Sequence, residues 1–248
     1  MTNYLEKLNH LDRQLNSPTV HQQVEEVNQI IVTVSAKKIL AQAPQKLGLE
    51  PDEFENILDS VGEVKREQLT IINHLLNGLR QYLSLQYGIW SLPNLKTAHL
   101  IKEKLHAKTA LEIMAGNAYW SKALNSVGVK TTATDNLEWA KTSNTGSQIF
   151  EKVEDLDAVR AIKKYPKTDV IICSWSPNFG QSDLAVVKTW KNCSDAHLLF
   201  IGEKDGATNS PEFWQKMNFI NDQNLKTINR SFVSYDFIDE KIYEIKRI

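Results

Sequence analysis

Glycine and cysteine are scarce in this chain, with 10 and 2 among 248 residues, and the absences narrow its chemistry. Cys173 and Cys193 are too few and too far apart for a zinc site or a disulfide framework, as suits a reducing cytoplasm. No Gly-x-Gly-x-x-Gly run occurs, so a dinucleotide pyrophosphate lacks its close backbone seat and a hydride-transferring dehydrogenase is disfavoured. There is also no P-loop, no nucleophile elbow and no His-x-x-x-His among the 6 histidines, which leaves phosphoryl transfer, acyl transfer and metal catalysis unsupported. The opening Met1-Thr2-Asn3-Tyr4-Leu5-Glu6-Lys7 has no apolar signal core, and no apolar run is long enough to span a bilayer. A net charge of -1 gives no electrostatic signal for nucleic acid or an anionic membrane. The expectation is a soluble, cytoplasmic protein.

What is present divides near residue 86. Before it, Leu5, Leu8, Leu11 and Leu15 recur at helical spacing, and Ser17-Pro18 gives a cap followed by proline at the first helical position. Val20, Val24, Val27, Ile31 and Val34 line a second helix, and Pro51-Asp52-Glu53 opens a third. Residues 63–85 read as one long fourth helix with Leu69, Ile72, Leu76, Leu79 and Leu83 inward. Residues 1–86 are therefore expected to form a helical domain. Its apolar stripes are read as core, with a homodimer face as the alternative.

Residues 87–248 alternate strand and helix. Thr109-Ala110-Leu111-Glu112-Ile113-Met114 is apolar and partly β-branched, as a strand buried on both faces requires. The small residues Ala115, Gly116, Asn117 and Ala118 follow, where backbone can approach a ligand. Residues 119–127 have helical spacing, Gly128 ends that helix, and 129–134 form a strand delivering Asp135 and then Asn136 to its carboxyl end. Such a βαβ unit binds a nucleoside-containing cofactor at the strand ends, the acid accepting from ribose hydroxyls. The same arrangement also occurs without any ligand. Further on, 148–153 reads as a third strand with Glu154 and Asp155 at its end, Asp157 as a helix cap, and 169–173 as the clearest buried strand, running into Ser174-Trp175-Ser176-Pro177-Asn178. Residues 197–201 read as a further core strand. Residues 225–236 and 241–247 read as a closing hairpin.

The order of acid, small turn with Gly116 and a second strand-end acid resembles motifs I and II of class I S-adenosylmethionine-dependent methyltransferases. Trp175 and Pro177 also match a Cys-Trp-Pro-Pro-Tyr segment of a bacterial and fungal methyltransferase-like group of unassigned substrate. The resemblance covers about residues 87–248 and implies a Rossmann-like doubly wound sheet closed by an antiparallel hairpin. It implies S-adenosylmethionine as cofactor, with Glu112 near the methionine end, Ala115, Gly116 and Asn117 beneath it, and Asp135 with Asn136 at the ribose. Glu154 or Asp155 would meet the adenine amino group, although a solvated turn also explains them. Trp90 and Tyr119 would wall the pocket or else pack the domain junction. Ser174, Trp175, Pro177 and Asn178 would receive an acceptor, an unidentified small molecule presenting nitrogen or oxygen. Met114 and Ala118 stand where the family has glycine, and their side chains are expected to narrow the cofactor space. The competing reading is a non-catalytic module that keeps the fold for ligand binding or protein association.

Overall fold

The structure is a computed structural model that describes residues 2–141, 143, 145, 146 and 148–247. Five helices come first: α1 (Thr2–Leu15), α2 (Pro18–Ser35), α3 (Pro51–Val61), α4 (Arg66–Asn77) and α5 (Leu79–Tyr87). They bury one apolar cluster that includes Leu8, Val24, Ile31, Leu69, Leu76 and Leu83, the residues whose 3.6-residue spacing marks them in the sequence. Residues 63–85 are not one helix. A 3-10 turn at Glu63–Lys65 precedes α4, and Gly78 separates α4 from α5, where its φ of -85° and ψ of 0° break the α-helical ladder. Ser17 stands at the N-cap of α2 but its side chain makes no capping hydrogen bond; the Pro18 at the first position sets the start of that helix.

After α6 (Leu95–Lys104) the chain alternates β1 (Thr109–Ile113), α7 (Tyr119–Ser126), β2 (Lys130–Asp135), β3 (Val153–Asp155), α8 (Ala158–Lys164), β4 (Val170–Ser174), α9 (Ser182–Cys193) and β5 (His197–Glu203). It ends in α10 (Pro211–Lys216), α11 (Gln223–Ser231) and β6 (Glu240–Glu244). The sheet order is β3-β2-β1-β4-β5-β6; β1 to β5 are parallel and β6 is antiparallel to β5. The order runs outward in both directions from β1 and β4, which makes the carboxyl ends of those strands the switch point. Side chains alternate across the sheet: Val170 and Ile172 pack with α6, α7 and α11, whereas Ile171 and Cys173 pack with α8, α9 and α10. This is the class I methyltransferase-like fold, Rossmann-like and doubly wound.

Two strand assignments from sequence are corrected. The third strand is Val153–Asp155 rather than 148–153, because Phe150 leaves the sheet to pack against the helical cluster. The first arm of the closing hairpin is helix α11: Asp222 caps it by accepting from Leu225 N at 2.8 Å, and Leu225 and Ile228 face the core at helical spacing. The sheet is closed by β6 alone, whose far side meets the antiparallel bridge Phe219–Ile245. Among the described residues no helix is long and apolar enough to cross a membrane.

Candidate functional site

The turn after β1 has an unusual backbone. Met114, Gly116 and Ala118 lie at φ of 52°, 53° and 60°, all in the left-handed region. Two of the three carry a Cβ, at a cost of about 1–2 kcal/mol each from its approach to the following carbonyl oxygen. These are the positions at which the resembled motif carries glycine. The chain thus keeps the backbone shape without the residue that adopts it freely. Ala118 is wholly buried, so its methyl does not narrow the space above the turn; Met114 Sδ lies 3.8 Å from Cys173 Sγ, turned toward β4. A Cβ built on Gly116 would meet the Trp139 ring at 3.8 Å, an ordinary van der Waals contact, so an indole lies over the turn.

Carboxylates hold this turn from below. Asp135 Oδ2 accepts from Gly116 N at 2.9 Å and Oδ1 accepts from Leu137 N at 2.8 Å. A carboxylate has about four acceptor sites, so two remain for ligand hydroxyls. Glu112 is buried with Oε2 accepting from Ser121 N at 2.7 Å, which fixes the start of α7. Burial pushes its pKa up to about 7. Asn117 is buried and donates Nδ2 to Tyr87 O at 2.5 Å, while its Oδ1 has no hydrogen-bond partner among the described residues. Gly88 makes this contact possible, since a Cβ there would lie 2.3 Å from Asn117 Nδ2. The helical segment therefore closes directly on the turn.

The other expected residues are distributed as follows. Ala115 donates its N–H to Thr134 O at 3.0 Å, locking the turn to β2, and Asn136 Oδ1 accepts from Glu138 N at 3.2 Å in an exposed bend. Glu154 pairs with Lys164 and accepts from Tyr165 OH at 2.6 Å, facing α8 instead of an adenine site. Asp155 is exposed at the end of β3, opposite Asp135 in register. Tyr119 is buried, donates to Lys38 O at 2.9 Å and packs on Phe150 at 4.5 Å, so it joins the helical core and does not wall a pocket. Trp90 stacks on Trp175 with ring centroids 5.3 Å apart. Ser174 ends β4 half-buried, and Pro177 and Asn178 are exposed beyond it.

Several residues of the site were not apparent from sequence. Arg80 of α5 is buried between Asp236 and Glu240, with Nε to Asp236 Oδ2 at 2.7 Å and Nη1 to Glu240 Oε2 at 2.8 Å. Glu240 also accepts from Trp175 Nε1 at 2.8 Å, and Arg80 Nη1 donates to Trp90 O at 2.5 Å. The one available signal is a cation inside an apolar stripe, between Leu79 and Leu83.

No family model matches the chain, and no curated protein matches it. Solved structures similar to it include a mitomycin 7-O-methyltransferase (14% identity, TM-score 0.40, covering 97% of this chain and 72% of that one). A Synechocystis magnesium protoporphyrin IX methyltransferase with bound S-adenosylmethionine matches at 14% identity and TM-score 0.39, covering 69% and 80%. Human N-acetylserotonin methyltransferase matches at 12% and 0.41, covering 80% and 60%. Likenesses this distant carry no functional assignment. The sheet order and the turn must do so.

Proposed function

We propose that the chain is an S-adenosylmethionine-dependent methyltransferase. The observation that carries the reading is the triple left-handed turn at the end of β1, held from β2 by the Asp135 carboxylate through Gly116 N. The residues fit the cofactor at two points: spare acceptor sites on Asp135, and the buried Asn117 Oδ1, which has no donor among the described residues. When bound, S-adenosylmethionine supplies an electrophilic methyl carbon on a sulfonium. Transfer of that methyl to an acceptor's lone pair would leave the carbon–sulfur pair on sulfur and release the acceptor's proton to water. Such a transfer depends on in-line positioning more than on a strong base. In this reading Gly116 and Asn117 cradle the cofactor, Asp135 holds its ribose, and the loop 174–178 orients an acceptor.

A second reading, a binding module without turnover, is favoured by one feature. Ser176 and Asn178 stand where the resembled group has proline and tyrosine, and Ser176 is buried rather than turned to an acceptor. Calorimetric titration with S-adenosylmethionine and S-adenosylhomocysteine tests the first reading. Absence of binding at millimolar ligand removes it; binding without S-adenosylhomocysteine production on any acceptor selects the second.

A further inference from the structure

Trp90 and Trp175 come from two segments that each meet the turn after β1. Trp90 lies two residues beyond Gly88, which touches Asn117, and Trp175 precedes Ser176, whose Oγ points to Met114 Sδ at 3.9 Å. The two indoles stack at 5.3 Å with 26° between planes. Neither ring is where burial alone would put it. Trp90 is 51% exposed, and Trp175 has φ of 53°, a genuine outlier for a bulky residue. Strain of this kind is kept where surrounding contacts enforce it and clusters at ligand sites.

Buried contacts hold both residues here. Trp175 Nε1 donates to Glu240, and the Arg80 guanidinium carbon lies 5.0 Å from its ring centroid. The same guanidinium holds Trp90 through its carbonyl, and is itself clamped by Asp236 and Glu240. One buried cation thus touches the Trp175 ring and the Trp90 backbone, at the carboxyl end of β4 where ligands of such sheets bind. Trp175 is engaged by Arg80 and Trp90, so the surface on offer is the exposed part of Trp90, an indole stacked on its neighbour with its backbone carbonyl held, which presents flat apolar surface with little ordering cost on binding.

We propose that this platform takes a planar aromatic molecule, stacked on the indole pair, and that this molecule is the methyl acceptor. The inference rests on the transferase reading for the acceptor role. The acceptor carries its nucleophilic oxygen or nitrogen at the ring edge; that atom's lone pair bonds the methyl carbon, the carbon–sulfur pair goes to sulfur, and the acceptor proton goes to water. Stacking supplies orientation, and Arg80 is a positioning residue that touches neither reactant.

The test uses the full chain saturated with S-adenosylhomocysteine, whose binding is first measured alone. 2-Naphthol is then titrated against its saturated counterpart decahydro-2-naphthol, followed by ligand-observed saturation-transfer NMR, with Trp90→Ala and Trp175→Ala as variants. Trp90→Ala removes an exposed ring and leaves the fold intact, which circular dichroism checks. The proposal expects 2-naphthol to bind at least about tenfold more tightly than the saturated alcohol, and Trp90→Ala, compared at saturating S-adenosylhomocysteine, to lose most of that preference. Equal binding of the two alcohols, or an unaltered preference in Trp90→Ala, overturns it while the transferase reading stands. If light scattering shows the chain self-associating and Trp90→Ala abolishes that, the platform is a contact between copies and the proposal fails. If S-adenosylhomocysteine does not bind, the acceptor role falls with the transferase reading whatever 2-naphthol does.

Discussion

Replacing Ala118 by glycine should cost the protein almost nothing, whereas the same change at Ala123, in the helix that follows it, should cost about 1.2–1.8 kcal/mol. Both side chains are wholly buried, so each variant loses one methyl from the core, worth about 0.8 kcal/mol. Each also makes the unfolded chain more flexible, worth roughly 0.4–1 kcal/mol. The difference lies in the backbone. Ala118 sits at φ 60° and ψ 42°, where its Cβ costs about 1–2 kcal/mol that glycine would not incur, while Ala123 lies inside the right-handed helix α7. Relief therefore offsets loss at 118 and has no counterpart at 123. For a chain of this size about 1 kcal/mol moves the melting temperature by roughly 2–4 °C, so Ala123→Gly should melt roughly 2–7 °C lower and Ala118→Gly within about 3 °C of the parent. Urea denaturation, with unchanged slope, gives the same comparison at constant temperature. If Ala118→Gly is destabilised as much as Ala123→Gly, Ala118 is not left-handed. The turn would then lose the feature on which the cofactor reading depends.

Asp135→Ala should weaken S-adenosylmethionine binding at least about tenfold, about 1.4 kcal/mol. It should also destabilise, because Gly116 N and Leu137 N both lose an acceptor. Asp157→Ala, which removes the N-cap of α8 (Oδ1 to Arg160 N at 3.0 Å), should cost about 1 kcal/mol in thermal melts and leave affinity unchanged. Glu112 has a folded pKa raised to about 7 from 4.5, so it contributes stability that is complete below about pH 4.5 and lost as pH rises to about 7. Glu112→Gln should flatten the stability profile in that window, and an unchanged profile by urea titration would refute the assignment. The His197 imidazole, 2.6 Å from Glu244, has its pKa raised chiefly by that hydrogen bond. Its stabilisation should be present below about pH 6.5 and fade above the raised value, so His197→Gln should narrow the stability gap between pH 6 and pH 9.

The parts that were legible in the sequence are those written in short-range pattern. Val170, Ile171, Ile172 and Cys173 announce a strand buried on both faces, and Asp157 a helix start, because one layer or one turn of contacts decides each. Leu225, Ile228 and Phe232 also carried a helical spacing with Asp222 as cap, but β-compatible residues around Val233 masked it. The left-handed turn is different in kind. Nothing in the identities of Met114 and Ala118 favours positive φ, which is imposed by Asp135 gripping Gly116 from the next strand and by Glu112 gripping the start of α7. The platform is more remote still. Arg80 reaches Asp236 and Glu240 across 156 and 160 residues of chain, and only that closure turns an odd cation in an apolar helix stripe into the element that fixes Trp90 beside Trp175. Breaking such a buried cluster by removing one partner typically costs about 3–5 kcal/mol, whereas well-packed apolar replacements of the whole cluster can be neutral or stabilising. Stability alone therefore does not require a charged cluster here. A rigid fork with five donors can hold a backbone carbonyl and two carboxylates at once, which an apolar core does not do, so the cluster's specific effect is to set the two indoles in place.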